Sequence, residues 1–381
     1  MMATLWEKVY GIEAATTIAN SMGDVTEMYS WDEIEQKFGG IVTELLPQPD
    51  KWSELPVFGA VAGDKDHIEI PQEWGYPWIY KRHDRPPGQS EDGHERHRLM
   101  VTAIIEKGGR VTLEELAKIW LRDIDPDNFG YLLGPQDQAI YYSLKAGVPP
   151  WDVGRYASFP GMIGTSKMMI PVGVINAGNP DQAAQDALDL GRLKDQRGRR
   201  DNYANEVAAA VAAGVAVAFT PDATPALVID TALAQLPAPA RREVEQALEW
   251  AGKVSDWREL RPMFQERYAG RPMSNAVEVL SGATANFLLA DGHVEDAIIQ
   301  GVNMGRDCDC RAYIAGGWSA ALRGISEVPQ RWIDTVSEQV VDDPYTVSRR
   351  TPEESARGLY DALLNELESS RKRVESMLAL A

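Results

Sequence analysis

Cysteine is nearly absent from this chain of 381 residues, which contains only Cys308 and Cys310. With one residue between them, the two thiols are too close for an easy disulfide on regular backbone. No histidine lies near them in the sequence, so the pair is a weak zinc candidate. The sequence therefore excludes a disulfide framework and a redox motif as organising features of the fold.

Long apolar runs are also missing. No stretch of about 18 apolar residues occurs, so we expect no transmembrane helix. The first residues, MMATLWEKVYGIEAA, contain an early acidic residue and lack the apolar centre of a signal peptide. We therefore expect a cytoplasmic protein.

Positive charge is in deficit, with a formal net charge of −19. This charge argues against nucleic acid and anionic membranes as partners, because their phosphates would be repelled. The sequence leaves the oligomeric state open.

Strand signals are scarce, and only residues 39–46 (GGIVTELL) and 67–71 (HIEIP) are typical of short strands. Helical composition and spacing dominate, over residues 112–124, 206–219, 225–236, 237–254, 294–305 and 351–380. Thr112 with Glu115, and Thr351 followed by Pro352 and Glu354, are typical of helix starts. The sequence thus predicts an all-α protein that forms a single domain over residues 1–381, with a C-terminal helix within 350–381.

Residues 47–89 differ from the rest of the chain. They are rich in proline, include Trp52, Trp74 and Trp78, and carry little helical signal. Long connections of this kind inside compact domains are usually functional or disordered, and the tryptophans favour order. We interpret this segment as an aromatic cap or insertion near the functional site.

The segment GVNMGRDCDCRAYIAGGWSAALRG (301–324) places Asp307 and Asp309 at the start of an Ala/Gly-rich helix. Two carboxylates at i and i+2 on a turn can point to one place in space, whereas inside a helix they would diverge. The competing interpretation is that one of them simply caps the helix. The cysteines beside them then only pack or ligate weakly.

Two further acidic clusters occur earlier, Asp24 with Glu27 and the run Ser90, Glu91 and Asp92. A hydroxyl and carboxylates are hard oxygen ligands, suited to magnesium, manganese or calcium. An acidic helix start is the alternative explanation of the second cluster. His94 and His97 lie three residues apart on one helix face, which we interpret as solvated or as supporting the site.

Taken in order, four motifs resemble the ADP-ribosylglycohydrolase family: NSMGDVTE (20–27), SED (90–92), GTSKMMIPVG (164–173) and GRDCDC (305–310), the last followed by VPQRW (328–332). The resemblance implies an all-α fold with a binuclear metal site, usually two Mg²⁺ ions, with Mn²⁺ or Ca²⁺ as alternatives. It also implies hydrolysis of an N- or O-glycosidic bond to ribose in an ADP-ribosyl or nucleoside-like substrate.

The resemblance also implies roles for individual residues. One ion would be held by Ser90, Glu91, Asp92 and Asp309, and the other surrounded by Asp307, Asp309, Cys310 and Glu27. Glu27 and Asp309 would be the catalytic residues, with Glu27 orienting or deprotonating the attacking water. Substrate would be bound by Gly164, Thr165 and Ser166. The basic residues Arg306, Arg197, Arg199 and Arg200 are candidates for phosphate recognition, or else form a solvated face.

Several positions depart from the family pattern. Cys310 replaces a hydroxyl ligand, Glu91 an aspartate, Gly93 a threonine, Arg306 a glycine and Asn20 an aspartate. These departures keep a second hypothesis open, a degenerate member that binds a ribosylated ligand without hydrolysing it. A third hypothesis treats D-x-D as a glycosyltransferase motif, but that class needs a strand-rich fold that this sequence does not predict.

Overall fold

The computed structural model describes residues 3–48, 67–69, 79–81, 83, 85–156, 160–195, 203–271 and 273–380. The described part of the chain is mainly helical. In chain order its α-helices are α1 (Leu5–Asp24), α2 (Trp31–Phe38), α3 (Asp92–Lys107), α4 (Leu113–Asp123), α5 (Pro135–Lys145), α6 (Pro150–Val153), α7 (Gly164–Lys167), α8 (Ile170–Ile175), α9 (Pro180–Leu190), α10 (Ala204–Ala218), α11 (Pro225–Ala234), α12 (Ala238–Ala251), α13 (Leu260–Tyr268), α14 (Ala276–Leu289), α15 (Val294–Val302), α16 (Cys308–Arg323), α17 (Gln330–Asp342) and α18 (Pro352–Leu378).

The predicted all-α class is confirmed, and the strands amount to one short ribbon. Strands β1 (His67–Glu69) and β2 (Ile79–Lys81) pair in antiparallel register, with His67 opposite Lys81. The strand predicted over 67–71 is thus confirmed at its first three residues.

The strand predicted over 39–46 is wrong, because an asparagine side chain takes the place of a partner strand. The Val42 N–H donates to Asn303 Oδ1 at 2.7 Å, and Asn303 Nδ2 donates to the Val42 carbonyl at 2.8 Å. This side chain satisfies both backbone groups of a buried apolar residue, so no ladder is required there.

Helix starts follow the local signals in the sequence. The Glu115 N–H donates to Thr112 Oγ1 at 3.3 Å, and the Thr112 N–H donates back to Glu115 Oε2 at 2.9 Å, which closes a capping box at α4. Thr351 and Glu354 form the same reciprocal pair at the start of α18. Each box satisfies backbone donors that the helix itself leaves unpaired.

The core is built around helices that are buried on almost every face. In α16, all residues from Cys308 to Ala321 are buried, and α10 is buried from Val207 to Ala218. Helix α1, which packs along α16, is buried from Gly11 to Asp24. Small side chains make this possible, since they let helix axes approach closely without leaving voids.

The closest approach of α1 and α16 depends on glycine. A Cβ atom on Gly23 would lie 2.2 Å from the Asp309 Cα, and one on Gly11 would lie 2.8 Å from the Gly324 carbonyl carbon. The end of α1 therefore meets the start of α16, and the two helices run antiparallel. This contact fixes Asp309 against the last turn of α1.

The predicted extent of the domain and the aromatic cap remain predictions. Most of residues 47–89, including Trp52, Trp74 and Trp78, lie outside the described residues. Within the part that is described, no helix combines the length and apolar character needed to cross a membrane.

We predict that Gly23→Ala destabilises the protein. The added methyl would overlap the Asp309 backbone, and overpacking of this kind typically costs about 1–3 kcal/mol or more, which exceeds the roughly 1 kcal/mol that alanine gains over glycine in a helix. Urea denaturation followed by far-ultraviolet circular dichroism measures the change in the free energy of unfolding.

Gly252→Ala is the matched control. A Cβ atom there meets nothing closer than 3.5 Å, and its φ of −69° suits alanine. We expect unchanged or slightly higher stability for this variant. Equal stability changes at the two positions would contradict the assigned close contact.

Candidate active site

Two left-handed residues join the turns that follow α1 and precede α16. Met28 has φ 74° and Arg306 has φ 61°, a conformation that is unusual for residues other than glycine. The Met28 N–H donates to the Arg306 carbonyl at 2.9 Å, and the Arg306 N–H donates to the Tyr29 carbonyl at 2.8 Å. The joined turns bring the backbone next to Glu27 together with the backbone next to Asp307.

Asp307, Asp309 and Cys310 form a buried cluster at the start of α16. Ligand atoms from the three side chains lie within 4.8 Å of one another, and each aspartate residue is only 1% exposed. Asp307 occupies the N-cap position, but its side chain makes no capping hydrogen bond. The capping interpretation therefore does not account for Asp307.

Each aspartate of this cluster keeps one oxygen without a hydrogen-bond partner among the described groups, Asp307 Oδ1 and Asp309 Oδ1. Burying carboxylate oxygens unpaired is costly, and a bound cation is the usual way to offset such a cost. Glu27, half-buried after α1, adds its negative charge to the surroundings of Asp309.

Lys167 lies in the middle of the predicted metal site. Its Nζ atom is 2.5 Å from Glu91 Oε1 and also forms an ion pair with Asp309 Oδ2. The lysine side chain is 1% exposed, and its Nζ lies 5.4 Å from the centre of the Tyr313 ring. One ammonium thus links the SED motif (90–92, the early motif) to the GRDCDC motif (305–310, the late motif), and the face of the Tyr313 ring stabilises it further.

The charge of this lysine is strongly favoured. Burial alone would lower its pKa, but the Asp309 and Glu91 carboxylates outweigh burial and raise the pKa of Lys167 well above its ordinary value. Lys167 is therefore cationic at neutral pH.

The early motif is divided between two sets of partners. Glu91 accepts hydrogen bonds from the Asn20 amide, the Gly93 N–H and Lys167, and its own N–H donates to Asn20 Oδ1 at 3.0 Å. Glu91 therefore caps the start of α3 through the Gly93 N–H and is also linked to Asp309 through Lys167.

Asp92 and Ser90 are directed elsewhere. Asp92 binds the guanidinium of Arg96 at 2.5 Å, and the same group is held by Asp137 at 2.6 Å. Ser90 Oγ donates to Glu95 Oε1 at 2.6 Å and accepts from Arg98 at 3.1 Å. Of the predicted ligands, Asp307, Asp309 and Cys310 form one cluster, and Lys167 links Glu91 to it, whereas Ser90 and Asp92 bind other partners.

These contacts show which of the two cation positions of a binuclear centre the residues present could form. A cation between Glu91 and Asp309 does not fit, because the Lys167 ammonium already binds both carboxylates. A cation at Asp307 and Asp309 does fit, because two buried carboxylate oxygens lack partners there. The donor set is compatible with one hard divalent ion.

Both cysteines are free and buried. Burial, together with the neighbouring Asp307 and Asp309 carboxylates, raises the pKa of the Cys310 thiol well above its ordinary value. Burial also raises the pKa of Cys308, whose Sγ lies 3.1 Å from Thr26 Oγ1. Neutral thiols are poor ligands for hard cations, which agrees with a packing role.

His94 and His97 belong to a buried network beneath Lys167, so the interpretation of a solvated face is wrong. His97 Nε2 lies 2.8 Å from Glu13 Oε1, and His97 Nδ1 lies 2.5 Å from the Tyr313 hydroxyl. His94 Nε2 lies 3.0 Å from Thr17 Oγ1. Burial and nearby cations lower the pKa of His94 well below its ordinary value, so this ring is neutral.

The predicted substrate-binding segment forms α7, which is buried. Thr165 Oγ1 and Ser166 Oγ have no hydrogen-bond partner among the described groups. A Cβ atom on Gly164 would lie 2.7 Å from an Arg96 nitrogen and 3.2 Å from Lys194 Nζ. The Arg96 guanidinium, which two carboxylates already bind, and the Lys194 amine thus lie beside this glycine.

Arg306 is engaged by protein groups, with its Nε 2.6 Å from Glu278 Oε1. It borders a cavity of about 290 Å³ whose lining includes Met28, Tyr29, Trp31, Phe264 and Met304. The cavity thus adjoins the two joined turns. Arg197, Arg199 and Arg200 lie outside the described residues.

Sequence reasoning missed Lys167, Arg96 and Tyr313 as members of the site. One signal for Lys167 was available, since it is a lone charge in the otherwise uncharged segment GTSKMMIPVG. A charged side chain that such a segment buries requires an opposite charge. Arg96 stands four residues after Asp92, the spacing of an ion pair on a helix.

The sequence and the structure were compared with known protein families and solved structures. The family model described as ADP-ribosylglycohydrolase matches residues 1–371. A solved structure described as an ADP-ribosylglycohydrolase-related protein complex superposes with a TM-score of 0.61 and 17% sequence identity, covering 95% of this chain and 98% of that chain. At this identity the likeness shows the fold. No curated protein matches the sequence.

We predict that Lys194→Met changes how stability depends on pH. Burial and the charge of Arg96 lower the pKa of Lys194 to about 7, whereas an unfolded lysine titrates near 10.4. The folded protein therefore holds this proton less tightly, and its wild-type stability increases as the pH rises from about 7 to about 10. The stability of the variant relative to wild type should fall by about 2 kcal/mol between about pH 7 and pH 9.

Urea denaturation of both proteins at the two pH values measures this difference. Lys118→Met, at an exposed position of α4, is the control and should show the same difference from wild type at both pH values. A pH-independent difference for Lys194→Met would contradict the lowered pKa.

Proposed function

The chain belongs to the ADP-ribosylglycohydrolase family, and we propose that it hydrolyses an N- or O-glycosidic bond to ribose in an ADP-ribosylated substrate. The observation that carries this proposal is the convergence of Asp307 and Asp309 beside Glu27, in a buried cluster with unsatisfied carboxylate oxygens. Cleavage of a ribosyl bond develops positive charge at C1, and a group of carboxylates stabilises such charge.

Glu27 is the proposed general base. It follows α1, lies half-buried near Asp309, and its backbone N–H donates to the Gly23 carbonyl at 2.8 Å, which fixes its position. A carboxylate at this place would take the proton of a water molecule as the water oxygen bonds to C1. The bond from C1 to the nitrogen or oxygen of the leaving group breaks as this C1–O bond forms, and the leaving atom retains the electron pair.

Asp307 and Asp309 are the proposed ligands of one divalent cation, Mg²⁺ first, with Mn²⁺ and Ca²⁺ as alternatives. When bound, such an ion orients ribose hydroxyls and lowers the pKa of water. Neutral Cys310 contributes shape beside them.

The flanks of Gly164 support recognition of phosphate. Arg96, whose guanidinium is fixed by Asp92 and Asp137, and Lys194, whose pKa is about 7, both lie beside this glycine. Buried hydroxyl groups at Thr165 and Ser166 are available as hydrogen-bond donors to the same anion. We propose that the diphosphate of ADP-ribose binds here.

A second candidate function is binding of an ADP-ribosylated ligand without hydrolysis. It is favoured by the ion pairs that hold Glu91 and Asp309 on Lys167, and Asp92 on Arg96, since these pairs remove carboxylate oxygens from any reaction. The two candidate functions involve the same ADP-ribosylated ligand, and they differ in whether the protein hydrolyses it.

We predict that Glu27→Gln lowers kcat by about 100-fold or more, because a general base typically contributes 10²–10⁴-fold. The assay measures sugar release by chromatography, in the presence of Mg²⁺. Its substrates are peptides ADP-ribosylated through arginine and through serine, together with a phosphate-free nucleoside. The wild type should cleave the phosphate-bearing substrates faster.

Glu338→Gln, at an exposed position of α17, is the matched control and should retain full activity. Full activity of Glu27→Gln would exclude Glu27 as the base. No turnover of any substrate by the wild type, combined with calorimetric binding of ADP-ribose, would establish the second candidate function.

A further inference from the structure

We propose that the ammonium of Lys167 takes the place of a divalent cation between Glu91 and Asp309, so that the chain binds at most one divalent ion, at Asp307 and Asp309. The inference goes beyond the proposed reaction, because it concerns the number of ions and holds whether or not the bound ligand is hydrolysed.

The position of the ammonium is the first argument. Lys167 Nζ contacts one oxygen from the early motif and one from the late motif, and no other carboxylates are nearer to it among the described ion pairs. Two carboxylates from distant parts of the sequence that share one buried cation have the arrangement of a metal bridge. A lysine ammonium is a compact point charge and can occupy such a position.

Gly93 is the second argument, because it provides the space that Lys167 fills. A Cβ atom at this position would lie 2.0 Å from Lys167 Cδ and 2.6 Å from Nζ. Any residue other than glycine would therefore push the lysine off the carboxylates. The glycine is the second residue of α3, at a place where the family motif has threonine, so glycine here and lysine at 167 act together.

Charge balance is the third argument. One ammonium brings less positive charge than a divalent ion, and Asn20, which holds Glu91 from the other side, is neutral where the family motif carries an aspartate. The position between Glu91 and Asp309 therefore has one carboxylate fewer than the family motif, which matches the single positive charge of the ammonium. The unpartnered oxygens that remain, Asp307 Oδ1 and Asp309 Oδ1, suit a single further ion.

The test compares Lys167→Met with wild type by titration with Mn²⁺, using calorimetry and the electron paramagnetic resonance signal of free Mn²⁺. We expect no more than one ion per chain for wild type and one additional ion for the variant. Without metal, the variant should melt at a lower temperature, because Glu91 and Asp309 lose their shared cation. Millimolar Mn²⁺ should raise its melting temperature more than that of wild type, since binding to the folded state alone stabilises it.

Lys194→Met is the matched control, because it removes another fully buried lysine whose ammonium contacts Gln136. It should gain no ion. Gly93→Ala is the second variant in case Lys167→Met does not fold; it keeps the lysine but displaces it, and should also gain an ion. Two ions bound by wild type, or no gained ion in either the Lys167 or the Gly93 variant, would overturn the proposal. None of these readouts depends on turnover, so they are separate from the test of hydrolysis.

Discussion

The contact between the last turn of α1 and the first turn of α16 determines the rest of the site. Because Gly23 has no side chain, the Asp309 backbone can approach it closely, and the residues on either side of this contact are then brought together. Glu27 follows α1 and Asp307 precedes α16, so both lie beside the same junction. The left-handed residues Met28 and Arg306 close the junction by hydrogen bonds between their turns. Such strained backbone is maintained only when its surroundings fix it, and here the buried helices do so.

The sequence predicts much of the fold because the decisive signals are local. Helices α4 and α18 begin where a threonine and a glutamate three residues later can exchange hydrogen bonds, and both residues of each pair can be recognised in the sequence. The failed strand at 39–46 has the opposite cause. Its backbone is satisfied by Asn303, a residue more than 250 positions away, which no local pattern reveals.

The candidate site was predictable only in part, for a related reason. The acidic motifs identify the carboxylates, and the spacing of Asp307 and Asp309 indicates that they converge. Which cation lies between Glu91 and Asp309 is decided by the packing of α7 against α3 and α16, and thus by three distant segments. Likewise, the spacing of His94 and His97 predicts a shared helix face, but only the neighbouring Glu13 and Tyr313 make that face a buried network.

The attachment of Lys167 to the chain has a thermodynamic consequence. A free ion loses translational freedom each time it binds, and its occupancy varies with its concentration in the surroundings. An ammonium on a side chain meets that entropic cost once, when the chain folds and the lysine rotamer is fixed. The bridge between the two acidic segments is therefore as permanent as the fold itself, and it remains intact in surroundings that contain no divalent ions.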